Sequence, residues 1–264
     1  MVTKEEIVQK LSGLGLGRGD NIIVHSSLKS FGRVEGGAET VIAALTELLS
    51  PEGTLVLPSF SQLAPYENGG MFDVAVTPTF LCGIIPETFW RMPGVRRSVS
   101  PTHSFAAWGK NAEKYTAGHH LIDTPLGKGS PLSLLLEDDG KCLLLGVGYG
   151  MNTFHHFVEL EADAPCLGRR TEVYPVRFAD GHVEELLNWS WRSAPCPITD
   201  GTRYAKYMEP YHRRTEIGSA TVTLFRLRDG YQVISKCLAE GIDGFPPCSA
   251  CPVRPRKTKW SIEK

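Results

Sequence analysis

The segment Gly150-Met151-Asn152-Thr153-Phe154-His155-His156-Phe157-Val158-Glu159 concentrates side chains able to move protons. Read as a helix, it puts Asn152, His156 and Glu159 at i, i+4 and i+7, on one face. A neutral imidazole can take a proton from an incoming ammonium group. A carboxylate three residues on can fix its tautomer and stabilise the imidazolium. A partner for His156 from elsewhere in the chain would serve equally. The same spacing also describes an amphipathic helix carrying a solvated His–Glu pair, and spacing alone does not separate the two. His155 lies about 100° from His156 around a helix, so the two rings are not expected to enter one pocket equally. A His-His-x-x-Glu run also suggests metal ligands, but a third ligand of the usual kind is missing, so no metal is expected.

A second polar cluster is Val24-His25-Ser26-Ser27-Leu28-Lys29-Ser30-Phe31-Gly32. Its hydroxyls, one ammonium and the backbone amides suit an anionic ligand, and they equally suit a plain strand-to-helix turn. Three weaker signals are set aside. Gly146-x-Gly148-x-Gly150 is not GxGxxG and reads as a tight turn that brings Asn152 to a cleft. Cys248-Ser249-Ala250-Cys251 supplies only two thiols and has no second CxxC, so it reads as a surface turn before a solvated basic tail, Arg254 to Lys259. Trp189 and Trp191 read as packing residues.

These groups need a scaffold. Thr3 can cap a helix over 3–12, and Asn21–His25 and Thr54–Leu57 read as short buried strands separated by a helix from 38 to 49. Residues 62–80, rich in Gly, Pro and Asn, read as a long loop near the site. A strand over 105–109 and helices at 86–91, 111–117 and 132–137 follow. Lys141–Gly148 is the clearest strand, and a helix from Asn152 to Ala162 starts directly behind it, where open α/β sheets bind ligands. From Thr171 the pattern turns to a hairpin closed by Asp180-Gly181, two strands near 219–227 and a helix near 231–239. The expected fold is a three-layer α/β/α core with a mixed sheet and an antiparallel C-terminal extension. It would be a single unit, with a core of about 1–170, an elaboration of about 171–240 and a tail of 241–264.

The totals narrow the function. The 264 residues are 42% hydrophobic and 22% charged with a net charge of −1, which gives no electrostatic reason to bind nucleic acid or an anionic membrane. No apolar run reaches the roughly 18–20 residues that cross a bilayer. The start, Met1 to Glu6, reads as a helix rather than a targeting signal. Seven cysteines, odd in number and scattered, fit a reduced, cytoplasmic setting.

Several of these segments together resemble the aminoglycoside 3-N-acetyltransferase (antibiotic N-acetyltransferase) family. Asn152-x-x-x-His156-x-x-Glu159, with Leu143-Leu144-Leu145-Gly146 before it, is similar to that family's Asn-Thr-Ser/Thr-x-His-x-x-Glu segment. Arg97-Ser98-Val99-Ser100-Pro101-Thr102-His103-Ser104-Phe105-Ala106-Ala107 is similar to its Arg-Ser-x-His-Pro-x-x-Ser-x-Ala-Ala stretch. The His25-Ser26-Ser27-Leu28 opening loop, Thr54 to Phe60, and Asp123-Thr124-Pro125-Leu126-Gly127 also match, in the same order.

The resemblance implies direct transfer of acetyl from acetyl-CoA to the 3-amino group of an aminoglycoside, with His156 as base and Glu159 as its partner. It assigns Ser26, Ser27, Leu28, Lys29 and Ser30 to coenzyme A, together with His103 and Ser104. Thr153 and Ser104 are candidate donors to the developing oxyanion. One departure stands out: Ser100 occupies the position where family members carry His before Pro. His103 stays open between a cofactor-channel residue and a buried structural one. The partners implied are small-molecule amines, with a monomer or homodimer as the assembly. A cationic acceptor calls for nearby acids, for which Glu159, Glu161, Asp163, Glu184 and Glu185 are available. The alternatives are the same chemistry on a non-aminoglycoside amine, a metal-dependent hydrolase built on His103, His155, His156 and Glu159, and a non-catalytic ligand-binding protein.

Overall fold

The computed structural model describes residues 1–61, 70–122, 124–164, 170–190, 196, 198–199 and 203–252. The chain begins with helix α1 (Lys4–Gly13), strand β1 (Asn21–Ser26), α2 (Gly37–Leu49), β2 (Thr54–Pro58) and β3 (Phe72–Asp73). It continues through α3 (Ile84–Phe89), β4 (Arg96–Arg97), β5 (Phe105–Gly109), α4 (Ala112–Thr116), α5 (Pro131–Glu137) and β6 (Lys141–Leu145). The remainder is α6 (Phe154–Glu161), β7 (Arg170–Arg177), β8 (Val183–Ser190), β9 (His212–Ile217), β10 (Ala220–Arg226) and α7 (Leu227–Glu240).

Two helix starts follow directly from local chemistry. The Thr3 hydroxyl accepts from the Glu6 amide ahead of α1, and Ser130 does the same for Ser133 ahead of α5, with Pro131 at the first helical position.

The main sheet has seven strands in the order β4-β5-β2-β1-β6-β10-β9. β1 runs parallel to both β2 and β6, while β4, β5, β9 and β10 pair antiparallel outside this centre. Successive side chains of β1 alternate between two cores, as strand geometry requires. Ile22 and Val24 pack with α1, α2 and α3, through residues such as Leu11, Leu45 and Phe89. Ile23 packs on the opposite side with α4 to α7, through Tyr115, Leu135, Phe154 and Ile234. This is the three-layer α/β/α arrangement with a mixed sheet that the hydrophobic pattern implied.

Because β1, β2 and β6 are parallel, their carboxyl ends share one edge of the sheet. Ser26 sits opposite Leu145 there, and the segments after Ser26, Pro58 and Leu145 converge on that edge.

Three features differ from the sequence reading. β9 and β10 extend the core sheet through β6, with Thr223 opposite Leu144, so the hairpin β7–β8 and the short β3 are what stand outside it. The pairing partner of β10 lies some 80 residues earlier, beyond the reach of local pattern. β6 stops at Leu145 because Gly146 takes a left-handed φ of 67°, and a Cβ there would lie 2.7 Å from the Ser30 Cβ. α6 begins at Phe154, two residues later than its pattern suggests. Of the long loop expected over 62–80, residues 62–69 lie outside the described residues. The tail from 253 onward, Trp191 and the side chain of Trp189 do so too.

Gly109 supplies a stability test. Its φ is +107°, and a Cβ would sit 2.1 Å from the Gly53 carbonyl oxygen. Gly109→Ala is expected to cost about 2–4 kcal/mol in urea unfolding. Gly118→Ala, whose Cβ meets nothing within 4 Å, is the control and should change stability little.

Candidate active site

Helix α6 puts Glu159 inside and His156 at the edge. Glu159 is fully buried, whereas the His156 side chain is 18% exposed. His156 Nδ1 lies 2.9 Å from Glu159 Oε2. The other carboxylate oxygen, Oε1, accepts from Thr199 Oγ1 at 2.5 Å. A carboxylate can only accept, so it selects the imidazole tautomer protonated at Nδ1 and puts the lone pair on Nε2. A solvated surface pair would leave the acid exposed. Here the carboxylate is held from two sides in the dry core, and the imidazole faces outward.

Asn152 does not share that face. It precedes the helix, its Oδ1 accepts from the Phe154 amide at 3.2 Å, and its Nδ2 donates to Tyr204 Oη at 3.2 Å. It fastens the start of α6 to the core, and the expectation that it reaches a cleft gives way to this role.

At the shared carboxyl edge of β1, β2 and β6 lies a cavity of about 510 Å³. Ser26, Ser27, Leu28 and Lys29 line one side, and Val147, Gly150, Met151 and Thr153 another. Phe60 and the segment from Phe80 to Ile84 complete an apolar wall. Ser26 Oγ is buried and, among the described residues, has no hydrogen-bond partner. A buried hydroxyl in that state costs about 1–3 kcal/mol unless something in the cavity satisfies it.

Thr153 stands one helical turn before His156, and its hydroxyl is 3.4 Å from His25 Nε2. Burial lowers His25 from 6.5 to about 4, so its ring is neutral near pH 7. The sequence pattern places His25 in a matching segment but gives it no role. Its position between loop and helix is visible only in three dimensions.

The remaining predicted residues are placed differently. Ser30 points away from the cavity: its hydroxyl donates to the Gly146 carbonyl at 2.7 Å and lies 2.9 Å from Ser27 Oγ. The Ser27 and Ser30 amides are used within the turn, donating to Leu145 and Ser27 carbonyls. The loop's available polar groups on the cavity side are therefore chiefly the Ser26 and Ser27 hydroxyls and the exposed Lys29 ammonium.

Ser104 is fully buried beside Arg97. It donates to the Ser59 carbonyl at 2.6 Å, and the Arg97 guanidinium reaches Ser104 Oγ at 3.3 Å, the Ser59 carbonyl at 2.9 Å and the Thr77 carbonyl at 2.5 Å. Arg97 also lies over the Trp90 ring at 4.3 Å. Burial lowers it to about 10, still a cation near neutral pH. His103 is buried against Phe60, with ring centroids 5.0 Å apart and its Nδ1 2.8 Å from Thr102 Oγ1. It stands one layer behind the cavity wall. Ser100, the departure from the family pattern, accepts from the His103 amide at 3.3 Å and is buried.

His155, His156 and Glu159 each offer a ligand atom within 4.8 Å of the others. The His155 and His156 rings are 4.0 Å apart, closer than their separation around the helix suggested. His103 is not part of this group, which breaks up the four-residue set of the metal-hydrolase reading. Thr199 is the residue that the sequence reading missed. It comes 40 residues after Glu159 with no motif to mark it.

Comparison with known proteins fits this arrangement. Residues 23–239 match the family model described as aminoglycoside 3-N-acetyltransferase. An aminoglycoside N(3)-acetyltransferase III from Salmonella sp is 35% identical over 253 residues, covering 90% of this chain and 86% of that protein. A histidine-to-alanine mutant of aminoglycoside acetyltransferase AAC(3)-IVa, solved in complex with a gentamicin, superposes with a TM-score of 0.78 at 31% identity, over 91% of this chain and 89% of that one. AAC-IIIb in a binary complex with coenzyme A gives a TM-score of 0.78 at 26% identity, over 93% of this chain and 99% of that one. With the family model spanning most of the chain, from residue 23 to residue 239, this protein belongs to the aminoglycoside 3-N-acetyltransferase family.

Proposed function

We propose that the protein transfers an acetyl group from acetyl-CoA directly to the 3-amino group of an aminoglycoside, with His156 as general base. The observation that carries this is the buried Glu159 carboxylate, which holds His156 one turn from Thr153 on the cavity wall. The acceptor arrives as an ammonium ion. His156 Nε2 takes its proton, and the freed amine attacks the thioester carbonyl. The tetrahedral intermediate gives the second proton of its nitrogen to solvent, the oxyanion collapses, the C–S bond breaks, and the thiolate leaves with the first proton returned from the imidazolium, so one proton is released overall. Glu159 stabilises that imidazolium throughout. Binding both reactants in one cleft removes much of the entropic barrier, and no acyl-enzyme is needed.

The donor reading rests on the cavity at the carboxyl edge of the sheet. Its apolar wall suits the pantetheine arm, Ser26 and Ser27 offer hydroxyls to its amides, and Lys29 stands at the mouth for phosphate. A supply of acetyl-CoA places the reaction in the cytoplasm. Among the described residues no helix is long and apolar enough to cross a membrane.

Thr153 is the oxyanion donor in this reading. Thr153→Val is expected to lower kcat about 10²-fold while coenzyme A still raises the melting temperature, because a donor aimed at the transition state contributes little to ground-state binding. An unchanged kcat would remove Thr153 from the mechanism.

A second acceptor class keeps the chemistry and changes the amine. The observation that favours it is the rim: Leu81, Ile84 and Met151 are 75%, 54% and 54% exposed around the cavity mouth. An acceptor panel separates the two, using thiol release from acetyl-CoA with aminoglycosides and with arylamines of matched concentration. Turnover with aminoglycosides alone supports the first reading. Turnover with arylamines alone replaces it with the second.

A further inference from the structure

We propose that His155, His156 and Glu159 form a binding site for one zinc-class divalent cation, and that its occupancy switches off the proton transfer carried by His156. Two imidazoles and one carboxylate are a ligand set that zinc takes readily, and each contributes an atom within 4.8 Å of the other two. A tetrahedral ion with bonds of about 2.0–2.2 Å places its ligands roughly 3.3–3.5 Å apart, so closure needs movements of about 1 Å. The parts are already half assembled. Nδ1 of His156 is 2.9 Å from Glu159 Oε2, and the two rings stand edge to face at 4.0 Å and 69°.

The surroundings favour a dication of this class over a hard one. Glu159 is fully buried and His155 nearly so, which supplies one negative charge in a medium of low dielectric. Imidazole nitrogen selects zinc, cobalt, nickel or copper, whereas magnesium and calcium prefer sites made of oxygen. The fourth position can be filled by water or solvent anion, with access through the partly exposed His156 edge.

The consequence follows from shared atoms. A bound cation occupies an imidazole nitrogen and the carboxylate that stabilises the imidazolium, and both are then lost to proton transfer. Coordination uses the lone pair of a neutral imidazole, so the cation competes with protons and binds more weakly as pH falls. The cation here is an inhibitor and takes no part in the reaction. Binding does not depend on the function proposed above, whereas the inhibition does.

The test strips the full chain of metal with a chelator and titrates it with Co²⁺, read by visible absorbance, and with Zn²⁺, read by displacement from a chromophoric chelator. The variants are His155→Phe, His155→Asn and His156→Ala, each checked for its melting transition. One ion per chain is expected, with affinity lowered at least about tenfold in every folded variant, since each loses a ligand. In parallel, Zn²⁺ should abolish wild-type turnover and chelator should restore it. Both His155 variants should keep metal-free turnover and resist Zn²⁺. No Co²⁺ binding below about 1 mM, a free energy too small to matter in a cell, would overturn the site. So would affinity unchanged in all the variants. Metal bound at these ligands with turnover undiminished would keep the site and overturn His156 as the base.

Discussion

Replacing His156 with alanine is expected to lower kcat by about 10²- to 10⁴-fold, the range that a positioned general base contributes. The KM for acetyl-CoA should stay within a few-fold, because His156 is not among the residues that line the cavity proposed for acetyl-CoA. The Glu159 carboxylate remains in place, held by Thr199. The variant should therefore keep the fold while losing a donor to a buried carboxylate, at a cost of about 1–3 kcal/mol. Steady-state kinetics with gentamicin as acceptor, together with the melting shift caused by coenzyme A, measures both effects. A fall in affinity for coenzyme A equal to the fall in kcat would point to a collapsed cavity rather than a missing base.

Much of this site can be read in the sequence because its parts are local. His156 and Glu159 are three residues apart on one helix, and the pair forms as that spacing requires. Thr3, Ser130 and Pro131 announce their helices for the same reason, and Ile22 to Val24 and Cys142 to Leu145 announce buried parallel strands by their unbroken apolar runs. What escapes is set by distance along the chain. Thr199 belongs to the site only through a contact made 40 residues beyond Glu159, and β10 finds β6 across some 80 residues.

Residue type can also mislead. Ser104 has a hydroxyl that suits an oxyanion or a cofactor, but its hydrogen bonds go to Ser59 and to the buried Arg97. Asn152 fits the helical face by number and stops short of it, because its side chain turns back to cap the helix that follows. The His25 ring is hidden in the same way, since its meeting with Thr153 joins residues 128 apart.

Acid is expected to unfold the protein well before its carboxylates are protonated. Burial lowers His25 and His119 from 6.5 to about 4 and His103 to about 3. The neighbouring charge of His119 adds to the shift at His103. The partners of His119 set its tautomer while burial keeps it neutral: its Nε2 donates to the Pro125 carbonyl at 2.7 Å, which partly offsets the effect of burial, so its Nδ1 accepts from Ser98 Oγ at 2.8 Å. In the unfolded chain all three take a proton near pH 6.5, while in the folded chain they remain neutral down to about pH 4. Between those values the unfolded state binds more protons, so stability falls as pH falls. Each ring contributes at most about 2 kcal/mol of loss by pH 5, and the three together about 4–6 kcal/mol. That is comparable with the whole stability of an ordinary domain, about 5–15 kcal/mol. Urea midpoints at pH 7.5, 6 and 5 should drop steadily, with about three protons taken up on unfolding near pH 5. A flat profile over this window would show that the three rings are solvated or paired differently from the structure.

Transfer of a proton from the acceptor amine to His156, oriented and charge-balanced by Glu159, is the step on which the proposed mechanism turns. Its most direct test is the pH dependence of kcat/KM for gentamicin in the wild type and in Glu159→Gln. Glutamine has the same shape and can still accept from His156 and meet Thr199, but it carries no charge to stabilise the imidazolium. The expected result is an acid limb in the wild type that moves to lower pH by about one unit in the variant, with a lower plateau. Acid limbs that coincide in the two proteins would contradict the claim, because the group that must lose its proton would then not feel Glu159.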